Sequence, residues 1–260
     1  MISLAFSPCP NDTFIFAALV QRWIDLEGLS FDYEMADVEE LNRWALEGKT
    51  DMIKVSFNAW LSLREHYELL KSGSALGFGN GPLLIARSRI PATRMPEMRV
   101  ALPGEHTTAH LLFSLAFPQV TRKEFIIFSE IEQAVLSGAV DAGVIIHENR
   151  FTYKHKGLVK LIDLGEFWEE KSASPIPLGG IVARRELGEE MIDSLNRIMR
   201  RSVDFAMRHP GEVMDFVRAF AQEMDDEVMR KHINLYVNRF TLDLGEDGSR
   251  AIQTLIDIYD

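Results

Sequence analysis

Cysteine is nearly missing from this chain. Of 260 residues only Cys9 carries a thiol, so no internal disulfide can form and the fold is left to its core. Positive charge is also short: 28 Lys and Arg stand against 39 Asp and Glu, a formal net charge of -11. That balance repels phosphate backbones and anionic lipid surfaces, so neither nucleic acid nor a membrane is expected as a partner. No apolar run approaches the ~20 residues that span a bilayer, and no low-complexity tract occurs. The opening residues Met1-Ile2-Ser3-Leu4-Ala5-Phe6 hold neither a basic segment nor a long apolar stretch, which sets the expected location as cytoplasmic. A dinucleotide fingerprint is wanting too, because the glycines of Gly77-Phe78-Gly79-Asn80-Gly81-Pro82 lead into the strand-like Leu83-Leu84-Ile85-Ala86 instead of opening a helix. His106 and His110 stand four apart, but no carboxylate or cysteine set completes a metal site around them.

What the chain does hold is a regular alternation of short apolar runs with helical periods. A strand over 2–6 breaks on Pro8 and Pro10 and restarts as a helix, with Asn11 or Asp12 as its cap. A strand at 31–35 follows, and Asp37 with Glu40 three residues later predicts a capping box for a helix that ends near Gly48. A strand at 52–55, a helix at 58–70 and an extended run at 75–86 complete the first series. After Pro91 and Pro96 a second series runs strand 99–102, helix 107–117, strand 125–129, helix 131–137 and strand 142–147. Residues 164–178 carry Gly165, Pro175 and Pro177 without a helical period and predict an extended crossover, with a strand resuming at 179–183. From Glu186 onward the pattern is helical, Met191, Leu195, Ile198 and Val203 sharing one face. Such alternation predicts an α/β protein with mostly parallel sheets.

An internal echo divides the chain. Gly48-Lys49-Thr50-Asp51 precedes the strand that ends in Ser56, and Gly138-Ala139-Val140-Asp141 precedes the strand that ends in His147. The expected organisation is two lobes: residues 1–88 plus 178–260 as a discontinuous first lobe, 97–170 as an inserted second lobe, and 89–96 and 171–177 as two hinge segments. Two extended connections permit closure around a ligand, and facing lobes would place Ser56 and His147 on one cleft.

Several segments carry residues suited to chemistry. The Ser7-Pro8-Cys9-Pro10-Asn11-Asp12 loop links a first strand to a helix, where open α/β sheets present backbone donors to a ligand; it serves equally as a rigid turn. His106-Thr107-Thr108-Ala109-His110 repeats that arrangement and reads either as a carboxylate seat or as an ordinary N-cap. His147 stands at a strand end, and an unperturbed imidazole has a near-neutral pKa and can take a proton at cellular pH when an apolar surround keeps it uncharged; a structural histidine bonded to a loop fits the same place. Lys54 and Ser56 offer an ammonium and a hydroxyl, and Gly79 lets a ligand or a second backbone approach or bends a hinge strand. Cys9, with no histidine partner in sequence, reads as a small buried residue.

Four stretches taken together, Ser7-Pro8-Cys9-Pro10-Asn11-Asp12-Thr13-Phe14, Leu41-Asn42-Arg43-Trp44-Ala45-Leu46-Glu47-Gly48, Pro103-Gly104-Glu105-His106-Thr107-Thr108-Ala109 and Ile145-Ile146-His147-Glu148-Asn149-Arg150-Phe151-Thr152-Tyr153, make the chain resemble the 1,4-dihydroxy-6-naphthoate synthase family of the futalosine route to menaquinone. The resemblance continues to Tyr236-Val237-Asn238-Arg239-Phe240. It implies a two-lobed fold like that of type II periplasmic binding proteins, with two hinge-connecting strands, and a lyase that uses no cofactor and no metal. The implied substrate is an aromatic carboxylate, cyclic dehypoxanthinylfutalosine, fragmented to the naphthoate and dihydroxyacetone. His147 is then the general base, and Lys54, Val55, Ser56, Thr108 and Ala109 match the family's ligand-contact segments; Thr107, Asn11 and Gly79 join them as expected substrate contacts. Phe78, Ile146 and Leu178 are candidates to cover the flat rings. Three rivals share this fold: chorismate dehydratase of the same pathway, a secreted solute-binding protein, and a cytosolic small-acid binding module. The missing export signal disfavours the second, and the absence of a helix-turn-helix segment disfavours a regulator.

Overall fold

The computed structural model describes residues 1–221 and 225–260; Gln222, Glu223 and Met224, which the helical reading spans, lie outside the described residues. The run Ile2–Phe6 forms β1, and Pro10, which gives up no helical hydrogen bond at a first position, opens α1 (Pro10–Val20) behind Cys9. The sequence reading expected Asn11 or Asp12 to cap this helix, but Cys9 holds the N-cap position and both residues lie inside the first turn. Helix α1 is apolar almost all round and correspondingly buried. Strand β2 (Phe31–Met35) precedes α2 (Val38–Leu46), whose start Asp37 caps by accepting the N–H groups of Glu39 and Glu40. Then come β3 (Met52–Ser56), α3 (Phe57–Leu63), β4 (Tyr67–Leu69) and β5 (Ala75–Gly77). The helix expected over 58–70 stops at Leu63 because Tyr67 is drawn into the core, where its hydroxyl donates to the Thr50 carbonyl at 2.8 Å.

The chain continues through β6 (Leu83–Ala86), β7 (Arg99–Leu102), α4 (Thr108–Ala116), β8 (Arg122–Phe125), α5 (Ile131–Ser137), β9 (Ala142–Ile145), α6 (Asn149–Thr152), β10 (Val159–Asp163) and α7 (Leu164–Ser172). It ends with β11 (Ile176–Arg184), α8 (Glu189–Arg208), α9 (Pro210–Phe220), α10 (Asp226–Tyr236), α11 (Arg239–Leu242) and α12 (Gly245–Tyr259). Two expectations need correcting here. The crossover read at 164–178 holds α7, whose start is capped by Asp163 and whose Trp168 is fully buried; Gly165 in its first turn and the prolines beyond its end hid a short amphipathic period. The strand expected at 125–129 lies at 122–125, an exposed edge, while Phe128 turns into the core.

The fold divides into one unit of residues 1–77 and 177–260 and another of 78–176. The first sheet runs β2-β1-β3-β11-β4, with β5 also paired to β11; the second, read from its β8 edge, runs β8-β7-β9-β6-β10. The two orders correspond strand for strand. In each, a first strand lies parallel between two neighbours (β1 with β2 and β3, β7 with β8 and β9). A further strand runs antiparallel between the next two (β11 between β3 and β4, β6 between β9 and β10), β11 following the parallel strands of its sheet in the chain and β6 preceding them, so both sheets are mixed instead of mostly parallel. The echoed aspartates play one role twice: Asp51 accepts the Ser3 N–H at 2.9 Å and Asp141 accepts the Arg99 N–H at 2.8 Å.

This topology moves the expected boundaries. Leu83–Ala86, placed by sequence in the first lobe, is a fully buried interior strand of the second sheet, so residues 89–96 lie inside the second unit and do not form a hinge between units. The chain crosses at 77/78 and 176/177. The main core of the first unit packs α1 and α8–α10 around residues such as Phe6, Phe16, Leu195 and Val217; that of the second gathers Leu83, Ile85, Ala101, Phe128, Ile131 and Val135.

Candidate active site

Parallel strands deliver their carboxyl ends to one edge of a sheet. In the first unit β1 and β3 bring the 7–12 loop and residues 54–56 to that edge, because Leu4 pairs with Met52 and Ala5 with Ile53. Asp12 is the hub: its side chain accepts the Ser7 hydroxyl at 2.7 Å and the Asn11 amide at 2.8 Å, and it stands 3.2 Å from the Lys54 ammonium. Lys54 also donates to the Gly73 carbonyl at 3.0 Å, and Asn11 Oδ1 meets His232 Nε2 at 2.8 Å. The buried ammonium is thus balanced within the unit. Val55 pairs with Gly180 and Ser56 with Gly179 between β3 and β11, where a Cβ on Gly179 would stand 2.8 Å from the Val55 carbonyl oxygen. Ser56 is oriented by Asn42 of α2. The Ser56 N–H donates to Asn42 Oδ1 at 2.8 Å, which turns Asn42 Nδ2 toward the Ser56 oxygen at 3.1 Å. The hydroxyl therefore accepts from Asn42 and keeps its own proton to donate.

In the second unit the same logic gathers four segments. Val100 pairs with Ala142 in parallel, Leu83 with Ile145 and Asp163 with Leu83 in antiparallel, so residues 79–82, 103–108, 146–149 and 163–165 share one sheet end. Thr107 caps α4: its hydroxyl donates to the Gly104 carbonyl at 2.8 Å and accepts the His110 N–H at 3.2 Å. The N–H groups of Thr108 and Ala109 follow in the first turn, where no intrahelical acceptor exists. His110 is held by the Glu105 carbonyl at 2.7 Å and lies 3.2 Å from the Lys123 ammonium, which burial draws below its usual value. Among the described residues no three His, Cys, Asp or Glu side chains are grouped to hold a metal.

His147 follows β9 instead of ending it. Counted from Asp51 and Asp141, Ser56 matches Ile146, and His147 falls one residue later in a turn, so the echo is displaced by one position from the sequence reading. Its φ is +56°, a left-handed value rare outside glycine, and its ring lies 4.8 Å from that of Phe128 at 53°. The turn is braced from behind. Asn149 donates to Glu132 at 2.5 Å, and the same carboxylate oxygen takes Lys156 at 2.6 Å. Arg150 reaches the carbonyls of Gly79 (2.8 Å) and Gly81 and pairs with Asp163 at 2.7 Å. Gly79 has φ +66° and donates its N–H to Glu169 at 2.7 Å.

Asn11 and Lys54 thus come together through Asp12, with Val55 and Ser56 on the same strand; Gly79, Thr107, Thr108, Ala109 and His147 share the sheet end of the second unit. Asn42 and Arg150 were passed over as functional residues, although both lie in the stretches that carry the family resemblance. A cavity of about 180 Å³ against Ala86, Arg87, Arg94 and Asp141 lies at the opposite end of β9 and contains none of these residues.

A family model described as menaquinone biosynthesis matches residues 2–260. The protein named 1,4-dihydroxy-6-naphtoate synthase in Thermus thermophilus is 48% identical over 254 residues, covering 98% of this chain and 92% of the relative. The Streptomyces coelicolor protein of the same name is 43% identical over 260 residues, covering 98% and 91%. Among solved structures, a protein of Archaeoglobus fulgidus is 33% identical with a TM-score of 0.93 over 99% of this chain and 96% of that one. A Candida albicans gene product described as having the generic periplasmic binding protein fold reaches a TM-score of 0.69 at 12% identity, over 99% and 90%, a likeness of fold alone.

Proposed function

The chain belongs to the menaquinone-biosynthesis family, and from that premise we propose that it cleaves cyclic dehypoxanthinylfutalosine to 1,4-dihydroxy-6-naphthoate and dihydroxyacetone, with His147 as general base. It is an enzyme of menaquinone biosynthesis on a periplasmic-binding-protein-like fold. The observation that carries the residue assignment is His147 itself: a side chain held at φ +56° against Phe128, at the sheet end where the first turn of α4 begins. Backbone in this region is costly for a non-glycine residue and tends to persist where function needs the side chain placed.

In this reading the N–H groups of Thr108 and Ala109 take the substrate carboxylate at the helix start, while Thr107 keeps that turn rigid. His147 removes a hydroxyl or carbon-bound proton from the spiro sugar portion, and the electrons released move through carbon–carbon cleavage to aromatise the bicycle. The conversion is redox neutral, so proton transfer and positioning suffice. In the first unit Ser56 keeps a proton that suits an oxygen acceptor, with Val55 beside it, and Lys54 and Asn11 hold that edge in place around Asp12.

Purified protein incubated with cyclic dehypoxanthinylfutalosine and no added cofactor is expected to form the naphthoate, followed by absorbance and mass. Absence of that product, or turnover of chorismate in its place, overturns the assignment. Neighbours named as ligand-, substrate- or sulfonate-binding proteins share the fold at 9–12% identity, and tight binding without turnover would mark that class.

A further inference from the structure

Asn80 is the oddity of the second unit. It is 1% exposed, and neither its Nδ2 nor its Oδ1 has a hydrogen-bond partner among the described residues. Buried side-chain amides are almost always paired, and each exception asks for a reason. The backbone around it is the opposite case. On one side the Gly79 N–H donates to Glu169 and the Gly79 carbonyl accepts from Arg150; on the other the Gly81 carbonyl accepts from Arg150 and the Pro82 carbonyl accepts the Leu164 N–H at 2.9 Å. Gly81 lies so close to Gly165 that a Cβ on it would stand 2.3 Å from the Gly165 Cα. The backbone of both neighbours is held by the protein, while the side chain between them is left unmet.

We propose that Asn80 is a substrate-reading residue whose partner is a hydroxyl group of the ligand. The chemistry chooses the partner. A carboxylate offers acceptors only and would satisfy Nδ2 while leaving Oδ1 bare, whereas a hydroxyl both donates and accepts and can meet an amide that lacks both. The place fits as well: residues 79–82 share the sheet end with His147, and Arg150, three residues after His147, clamps both neighbours of Asn80. The inference rests on the reading given above, in which the acid is taken at the start of α4, and assigns the hydroxyl-bearing sugar-derived portion to Asn80. That division of labour discriminates against flat aromatic acids without hydroxyls.

The test compares Asn80→Leu with wild type in three measurements. With cyclic dehypoxanthinylfutalosine, kcat/KM is expected to fall about 10- to 100-fold. Binding of naphthalene-2-carboxylate, which has the acid and the rings but no hydroxyl, is expected to stay within twofold. The melting temperature of the ligand-free variant is expected to equal or exceed that of wild type, since a desolvated polar group without partners has been removed. Unchanged turnover, equal losses for both ligands, or a clearly lowered melting temperature each overturn the proposal. Should wild type fail to turn over the cyclic substrate, the functional reading falls, and the melting temperature and naphthalene-2-carboxylate binding still decide whether Asn80 is structural.

Discussion

At His147 the backbone and the imidazole make opposite demands, and substitution separates them. His147→Ala removes the base and is expected to lower turnover ~10²- to 10⁴-fold while circular dichroism stays native. His147→Gly should lose as much activity yet resist denaturant better than the alanine variant by about 1 kcal/mol, because glycine adopts φ > 0 without steric cost. An alanine variant more stable than the glycine one would remove the case for strain at this turn. Ser56 allows a finer manipulation. Asn42→Asp keeps an acceptor for the Ser56 N–H but no longer donates to its oxygen, so the serine proton turns toward the new carboxylate. Activity is expected to fall while the fold persists, and wild-type kinetics would show that the direction of that proton is irrelevant.

Arg150 couples two elements that the sequence separates by some seventy residues, tying α6 to the segment before β6 while neutralising Asp163, whose side chain is 2% exposed. Removing the guanidinium leaves a buried carboxylate without its charge partner, so Arg150→Ala is expected to destabilise by about 3–5 kcal/mol, read by chemical denaturation. A loss under 1 kcal/mol would show that water replaces the guanidinium. This kind of link was not legible in the sequence. Capping and periodicity were: Asp37 and Thr107 cap the helices expected of them, and the 131–137 helix falls where its pattern put it. What failed were elements whose state is decided by distant partners. Tyr67 leaves a helical pattern for a strand against β11, Leu83–Ala86 joins the second sheet, and α7 forms between residues that favour turns. The site followed the same division. Helix starts and strand ends pointed to Thr107, Thr108 and His147 as candidates, the last falling beyond its strand in a turn, whereas Asn80 stands out only once its missing partners are visible.

The whole chain carries an excess of acid, and much of it is neutralised at the surface by arginine. Glu27 is the clearest case: Arg197 above all, with Arg201 and Ser194, lowers its carboxyl from 4.5 to about 2, and the two arginines place the 20-residue α8 on the loop ahead of β2. Because the folded protein releases this proton more readily than the unfolded chain, the contribution is complete above about 4.5 and is lost as pH falls toward about 2. Glu27→Gln should flatten the stability–pH profile within that window, and added salt should shrink the difference; parallel profiles would show that the pair adds nothing. The repeated strand order and the repeated aspartate, Asp51 and Asp141, make the two units versions of one design. Strand β5 pairs with β11, and residues 78–176 leave the first unit after the one and rejoin it at the start of the other. Departure and return are thus neighbours in a single ladder. The inserted unit behaves as a cassette, and a short linker in its place should leave the remaining sheet able to close on itself.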